Sequence, residues 1–198
     1  LERFYRFYQQ RGQYPSLDSF LANFSQALNQ EILSESDFKD RLKYGQEVLS
    51  DYYQHIIQDQ PQVLAVERSF GNKGRRIVLG DVFLTGKIDR LDWLDQKQGL
   101  VKVIDYKTGR SKSVNHILVK TKTAAKNLSE REATLPETIR GSYQRQLVFY
   151  KLLMQLDRQL NSKIEVAEAG CIFKGVVRES GNKFVSRSLV ISDEAISD

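Results

Sequence analysis

The chain has 198 residues, 40% of them apolar and 28% charged, with a formal net charge of +5. A chain of this length buries about 70% of its unfolded surface, so it needs neither disulfides nor zinc to hold together. The one cysteine, Cys171, excludes an internal disulfide and a four-cysteine zinc or iron–sulfur site, and no run reaches the ~20 apolar residues of a membrane span.

In chain order, residues 1–12 and about 17–32 carry scattered aromatic and aliphatic positions without strand alternation and read as helices. "SESD" (34–37) is a capping pattern for a third helix. Within that helix Phe38, Leu42, Gly45, Leu49, Tyr52 and Ile56 are spaced 4, 3, 4, 3, 4 along one stripe, and Pro61 ends it. Four β-rich runs follow at 63–70, 76–84, 86–94 and 100–107, read as consecutive, largely antiparallel strands with "NKG" and "DQKQG" as hairpin connections. Residues 108–140 read as a long polar connection, 141–160 as a helix with Tyr143, Leu147, Tyr150 and Met154 on one face, and 163–177 and 183–192 as closing strands. Helices, then a meander, a helix and strands predict an α/β (α+β) fold: a central mixed sheet flanked by helices. Residues 1–60 form its helical part and 61–198 its core, within a single domain. Cys171, in "AGCIF", is expected to be a small core residue.

The chemistry concentrates in "LTGKIDRLDWLDQKQGLVKVIDYKTGR" (84–110). Side chains alternate across a strand, so Asp105 and Lys107 leave the same face, in line with Val101 and Val103, while Ile104 and Tyr106 occupy the other. If the two strands pair, Asp89 and Asp105 converge. Two convergent carboxylates suit a hard divalent cation such as Mg²⁺. Such a cation polarises a phosphoryl oxygen and lowers the pKa of a bound water, and an adjacent ammonium stabilises the charge that develops. Neither a Ser–His–Asp set nor a glycine-rich phosphate loop competes with this reading.

"GKIDRLD" followed by "VIDYKTG", with Gln146 and Tyr150 in a Q-x-x-x-Y helix, resembles the RecB-like branch of the PD-(D/E)XK nucleases over roughly residues 63–175. The resemblance implies a restriction-endonuclease-like core. It implies Asp89 and Asp105 as ligands of Mg²⁺ or Mn²⁺, Lys107 as the catalytic lysine, and Gln146 and Tyr150 along the DNA path. Glu67 matches an assisting glutamate on the preceding strand. Relatives usually place a metal-binding histidine on the helix before the sheet, where this chain has Gln46 at the edge of the buried stripe. Gln46 is therefore the expected third ligand, through its amide oxygen or a water. His55 lies on the wrong side of the stripe and reads as a helix-surface residue.

Between Lys107 and Lys126 the chain carries six basic residues (Lys107, Arg110, Lys112, Lys120, Lys122, Lys126) and no acidic one. Without interleaved aromatics, this stretch predicts contacts to the DNA backbone rather than base stacking. The expected function is a metal-dependent deoxyribonuclease, an exonuclease acting in recombination and repair, without an iron–sulfur cluster. Its partner would be a helicase motor, in the same chain or complex, resembling the UvrD, PcrA and AddA families. The absent initiator Met suggests a domain excised from a longer protein. The expected location is the cytoplasm of a bacterial or archaeal cell, with no membrane partner. The rivals are a catalytically silent DNA-guiding module, which Gln46 favours, and a free-standing nuclease.

Overall fold

The computed structural model describes residues 1–72, 76–107, 111–160, 163–174 and 184–197. Helix α1 (Glu2–Arg11) stops where Gly12 turns left-handed (φ 70°), a conformation that costs a residue without Cβ little. Helix α2 (Leu17–Leu28) starts on Ser16, whose hydroxyl accepts the Ser19 N–H at 3.2 Å. Helix α3 (Glu35–Asp59) starts in the same way on Ser34, which accepts the Asp37 N–H at 3.1 Å, and it ends at Gln60 before Pro61. Its buried face is Gly45, Val48, Tyr52 and Ile56. Phe38, Leu42 and Leu49 of the sequence stripe are half-buried. Gly45 has a packing reason to sit mid-helix: the Phe24 ring of α2 lies 2.1 Å from where a Cβ would be.

The strands are β1 (Val63–Phe70), β2 (Ile77–Leu79), β3 (Val82–Leu84), β4 (Gly86–Asp95), β5 (Leu100–Lys107), β6 (Glu165–Lys174) and β7 (Phe184–Val190). Among the described residues the main sheet has the order β1-β4-β5-β6-β7, antiparallel throughout except for the parallel β5–β6 pair. It is a mixed sheet flanked by helices, in keeping with a restriction-endonuclease-like core. The run 76–84 is not a strand of this sheet. Gly80 adopts φ 56°, and Leu79 pairs with Val82, so the run folds into a separate β2–β3 hairpin and leaves β1 to pair with β4. The "NKG" connection falls largely outside the described residues. "DQKQG" does turn the chain from β4 to β5, with Asp95 Oδ1 accepting the Lys97 and Gln98 N–H groups at 2.8 and 3.1 Å.

Within the connection 108–140, the described residues 111–140 are more ordered than their polarity suggests. They contain the single-turn helices α4 (Val114–Ile117), α5 (Lys122–Lys126) and α6 (Glu130–Ala133). Each starts on a hydroxyl that accepts a backbone N–H three residues on: Ser113 from His116, Thr121 from Ala124 and Ser129 from Glu132. Buried Ile117 and Ala124 pin this segment to the body of the protein. Helix α7 (Ser142–Leu156) follows, and α8 (Glu194–Ser197) closes the chain. No helix among the described residues is long and apolar enough to cross a membrane.

Strand alternation assigns the two faces of the sheet. Val101 and Val103 pack with Leu147, Tyr150, Leu153 and Met154 of α7 in the larger apolar core. On the other face Val66 packs with Phe4, Tyr5, Phe20, Tyr52 and Ile56 of the N-terminal helices, with Tyr106 against them. Arg90 lies at 3% exposure on this second face, where its Nη2 donates to Asp92 Oδ2 at 2.9 Å. A charge buried this deeply is tolerated only when paired. Replacing Arg90 with Met strands the Asp92 carboxylate and is expected to cost about 3–5 kcal/mol in denaturant unfolding, whereas Arg90→Met with Asp92→Leu should recover most of it.

Candidate metal centre

The site forms where β4 and β5 part. Their ladder runs from Asp95↔Leu100 to Arg90↔Ile104 and stops. Beyond it β4 stays with β1 as far as Gly86, and β5 stays with β6 as far as Lys107. The Tyr106 N–H, which a continued ladder would have engaged, is instead accepted by Asp89 Oδ2 at 2.8 Å. Asp89 and Asp105 thus occupy the positions one step past the last ladder pair. Alternation along β5 puts Asp105 on the α7 face, in line with Val101 and Val103, with Lys107 beside it.

Asp105 is 3% exposed, and α7 reaches over to hold it. Its Oδ1 accepts the Tyr150 hydroxyl at 2.8 Å and Gln146 Nε2 at 3.0 Å. Gln146 Nε2 also donates to the Tyr150 oxygen at 2.6 Å, while its Oε1 accepts Lys107 Nζ at 2.5 Å. Lys107 Nζ closes the ring at 2.7 Å from Asp105 Oδ2. That oxygen is buried and accepts no well-directed hydrogen bond. The four-residue spacing of Gln146 and Tyr150 puts both side chains on the same face of α7, one turn apart. Tyr150, at 6% exposure, offers nucleic acid almost no surface. Its hydroxyl is turned to Asp105, because α7 packs its ring into the core. Burial and then the Asp105 charge push the Tyr150 phenol above its ordinary range, so it stays a donor.

Glu67 stands on β1 between Val66↔Arg90 and Arg68↔Ile88, which places it opposite Asp89. It has φ 52°, a left-handed backbone inside a strand, and such conformations cost about 1–3 kcal/mol. Its carboxylate forms an ion pair with Lys87. Burial pushes the Asp89 carboxyl above its ordinary range; the Tyr106 N–H opposes this, and the Asp105 and Glu67 charges add to it. Three acidic residues therefore line up across adjacent strands β1, β4 and β5, near enough to influence one another electrostatically.

The other expected residues are less closely placed. Gln46 is exposed on α3, and no hydrogen bond joins its side chain to Asp89 or Asp105 among the described residues. Lys120, Lys122 and Lys126 are exposed on the α4–α5 segment, and Lys112 is half-buried beside His116 in a cavity of about 280 Å³. Arg110 and the Cys171 side chain lie outside the described residues. His55 is an exposed helix residue, 3.1 Å from Asp59. Tyr106 and Arg90 were not singled out from the sequence. The available signal was a phenol in "IDYK" on the strand face opposite Asp105, the same face as Arg90 and Asp92 in "IDRLD".

The donor set suits a hard divalent cation. Two carboxylates can supply oxygen ligands, and Asp105 Oδ2 is a buried acceptor that, among the described residues, faces the Lys107 ammonium without a well-directed hydrogen bond. No group of three or more His, Cys, Asp or Glu side chains is suitably gathered among the described residues. Water or substrate oxygen would therefore complete the coordination shell, as Mg²⁺ prefers.

Two carboxylates and an ammonium thus meet at the open end of a mixed sheet. The family model of the PD-(D/E)XK nuclease superfamily matches residues 1–188, and the chain belongs to that superfamily. Its members generally hydrolyse nucleic acids with a divalent metal. Among curated proteins, a sequence search finds no match.

The raised Asp89 pKa has a definite sign. The folded protein holds this proton more tightly than the unfolded chain, so the group contributes stability when protonated, below the unfolded value. That contribution is lost as pH rises through the folded value. In metal-free protein at neutral pH, Asp89→Asn is therefore expected to melt higher than the wild type. The gap should close as pH falls towards about 4, measured by thermal scans in chelator.

Proposed function

We propose that this chain is a divalent-metal-dependent deoxyribonuclease of RecB-like type, using Mg²⁺ or Mn²⁺ and cutting phosphodiester bonds from a DNA end. The observation that carries the reading is the arrangement around Asp105: a buried carboxylate held through Oδ1 by Tyr150 and Gln146, with Oδ2 turned to Lys107 and Asp89 across the fork. Asp89 and Asp105 would hold the cation, which when bound polarises a phosphoryl oxygen and makes water a stronger nucleophile. Glu67 would assist from β1, and Gln46 would act, if at all, through an intervening water.

The chain's own groups do the remaining work. Tyr150 and Gln146 fix the rotation of Asp105, so its second oxygen is aimed before any ligand arrives. Lys107 neutralises Asp105 in the resting site. Released from that contact, its ammonium can donate to a phosphate oxygen as negative charge accumulates there. Lys112, Lys120 and Lys122, with Arg110, would hold the DNA backbone as it leaves the site. Exposed lysines without interleaved aromatics suit phosphate contacts and little sequence preference. The run "RGSYQRQLVFYKLL" further supports a place beside a helicase motor in DNA recombination and repair.

One observation favours a second reading. Gln46 stands exposed and, among the described residues, makes no hydrogen bond to either carboxylate, as it would in a silent DNA-guiding module. The test is cleavage of single- and double-stranded DNA with Mg²⁺ or Mn²⁺ by wild type, Asp105→Ala and Lys107→Ala. Wild-type cleavage with a loss of at least a hundredfold in both variants is expected, on the order of a lost electrostatic group in a site of this kind. Equal cleavage by all three would discard the site, and DNA binding without any cleavage would select the silent module. Separately, Lys120→Ala/Lys122→Ala should weaken DNA binding across all sequences and flatten its salt dependence by about one unit of slope per lost phosphate contact.

A further inference from the structure

We infer that Tyr106 is a positioning residue for the metal ligand Asp89, through a phenol anchored on the face of the sheet opposite the site. This rests on the metal-binding reading above and adds to it a dependence on the N-terminal helices. The Tyr106 main chain gives its N–H to Asp89 Oδ2 at 2.8 Å. Its side chain points the other way, where the hydroxyl lies 2.8 Å from Arg90 Nη1 and 2.8 Å from the Tyr52 oxygen. Arg90 Nη1 also reaches the Tyr52 oxygen at 2.9 Å and contacts the Tyr5 oxygen, and Tyr5 and Tyr52 touch through their hydroxyls. Nη1 has only two hydrogens, so three phenol oxygens around it must share donors among themselves. The result is one connected unit spanning α1, α3, β4 and β5.

This anchor matters because the ladder gives Tyr106 no support from β4. Past Arg90↔Ile104 no β4 residue is paired with it, and the N–H that fixes Asp89 is carried by a residue held on that side through its phenol. There is also room for the ring to move. A groove of about 740 Å³ between the N-terminal helices is lined by Tyr106 and Tyr52 together with Phe4, Val48 and Leu49. Main-chain pairing holds Tyr106 from the β6 side alone, through Tyr106↔Ile172, so without its hydroxyl contacts the β4 side of this strand end can shift towards the groove and loosen the N–H from Asp89. Burial pushes the Tyr5, Tyr52 and Tyr106 phenols above their ordinary range, so they remain neutral donors and acceptors at working pH.

The experiment is a calorimetric titration of DNA-free protein with Mn²⁺, for wild type, Tyr106→Phe, Tyr52→Phe and Asp105→Asn, well below each protein's melting temperature. Asp105→Asn should abolish binding. Tyr106→Phe keeps the N–H and the ring, and is expected to bind Mn²⁺ roughly tenfold more weakly, as groups that orient a ligand typically do when removed. Its metal-free DNA affinity should stay at the wild-type level, which general structural damage would not allow. Unchanged Mn²⁺ affinity in Tyr106→Phe overturns the inference while leaving the metal reading intact. Wild type that binds no Mn²⁺ overturns both. Should Tyr106→Phe fail to fold, Tyr52→Phe decides: a severalfold loss of Mn²⁺ affinity supports the relay, and wild-type affinity sinks it.

Discussion

The parting of β4 and β5 is the constraint on which the site depends. An antiparallel pair that stayed zipped would engage the Tyr106 N–H in its ladder and leave Asp89 as an ordinary strand residue. Here β4 follows β1 and β5 follows β6, and the two strands diverge after Arg90 and Ile104. Divergence frees a backbone donor, and Asp89 takes it. It also leaves the end of β5 accessible to α7, whose Gln146 and Tyr150 settle on Asp105. A parallel partner for β5 makes this possible, because the long crossover to β6 carries α7 over the sheet.

Strain and unfavourable charge collect at the same place. Glu67 holds a left-handed backbone within β1, Asp89 has a raised pKa, and Asp105 has an oxygen without a well-directed donor. Each is a cost to the fold; positive charge between the carboxylates would offset the two at Asp89 and Asp105, whereas the Glu67 backbone cost is steric and would remain. Lys107 and Lys87 supply some of it from the protein, one beside Asp105 and the other beside Glu67. The rest of the sheet sustains these costs through two apolar cores, one on each face.

Much of this was legible in the sequence, and the failures have physical reasons. Period-2 alternation placed Asp105 and Lys107 together and Tyr106 opposite, and the Gln146–Tyr150 spacing put both on one helical face. The stripe on α3 missed Val48, because two alternating series of apolar residues fit the same helix. The 76–84 run misled because its apolar residues suit a strand whether it joins the main sheet or folds on itself. Only the Gly80 turn distinguishes the two. Residues 108–140 lack apolar periodicity since each short helix buries at most one side chain, yet hydroxyls at 113, 121 and 129 mark every start. The contact of Tyr150 with Asp105 could not be read from spacing, which fixes a face but not what the face meets.

The Arg90 cluster explains why the helical segment and the sheet act as one structure. Arg90 and Asp92 would be expensive as isolated buried charges, and a purely apolar pair would serve stability at least as well. What an apolar pair would lack is direction. The guanidinium fixes three phenols from two helices and a strand, whereas methyl groups would let the same rings slide. Direction matters most at Tyr106, whose ring faces the helices while its main chain faces Asp89. A rotation of that residue changes both ends at once, so the packing of α1 and α3 is felt on the far side of β5.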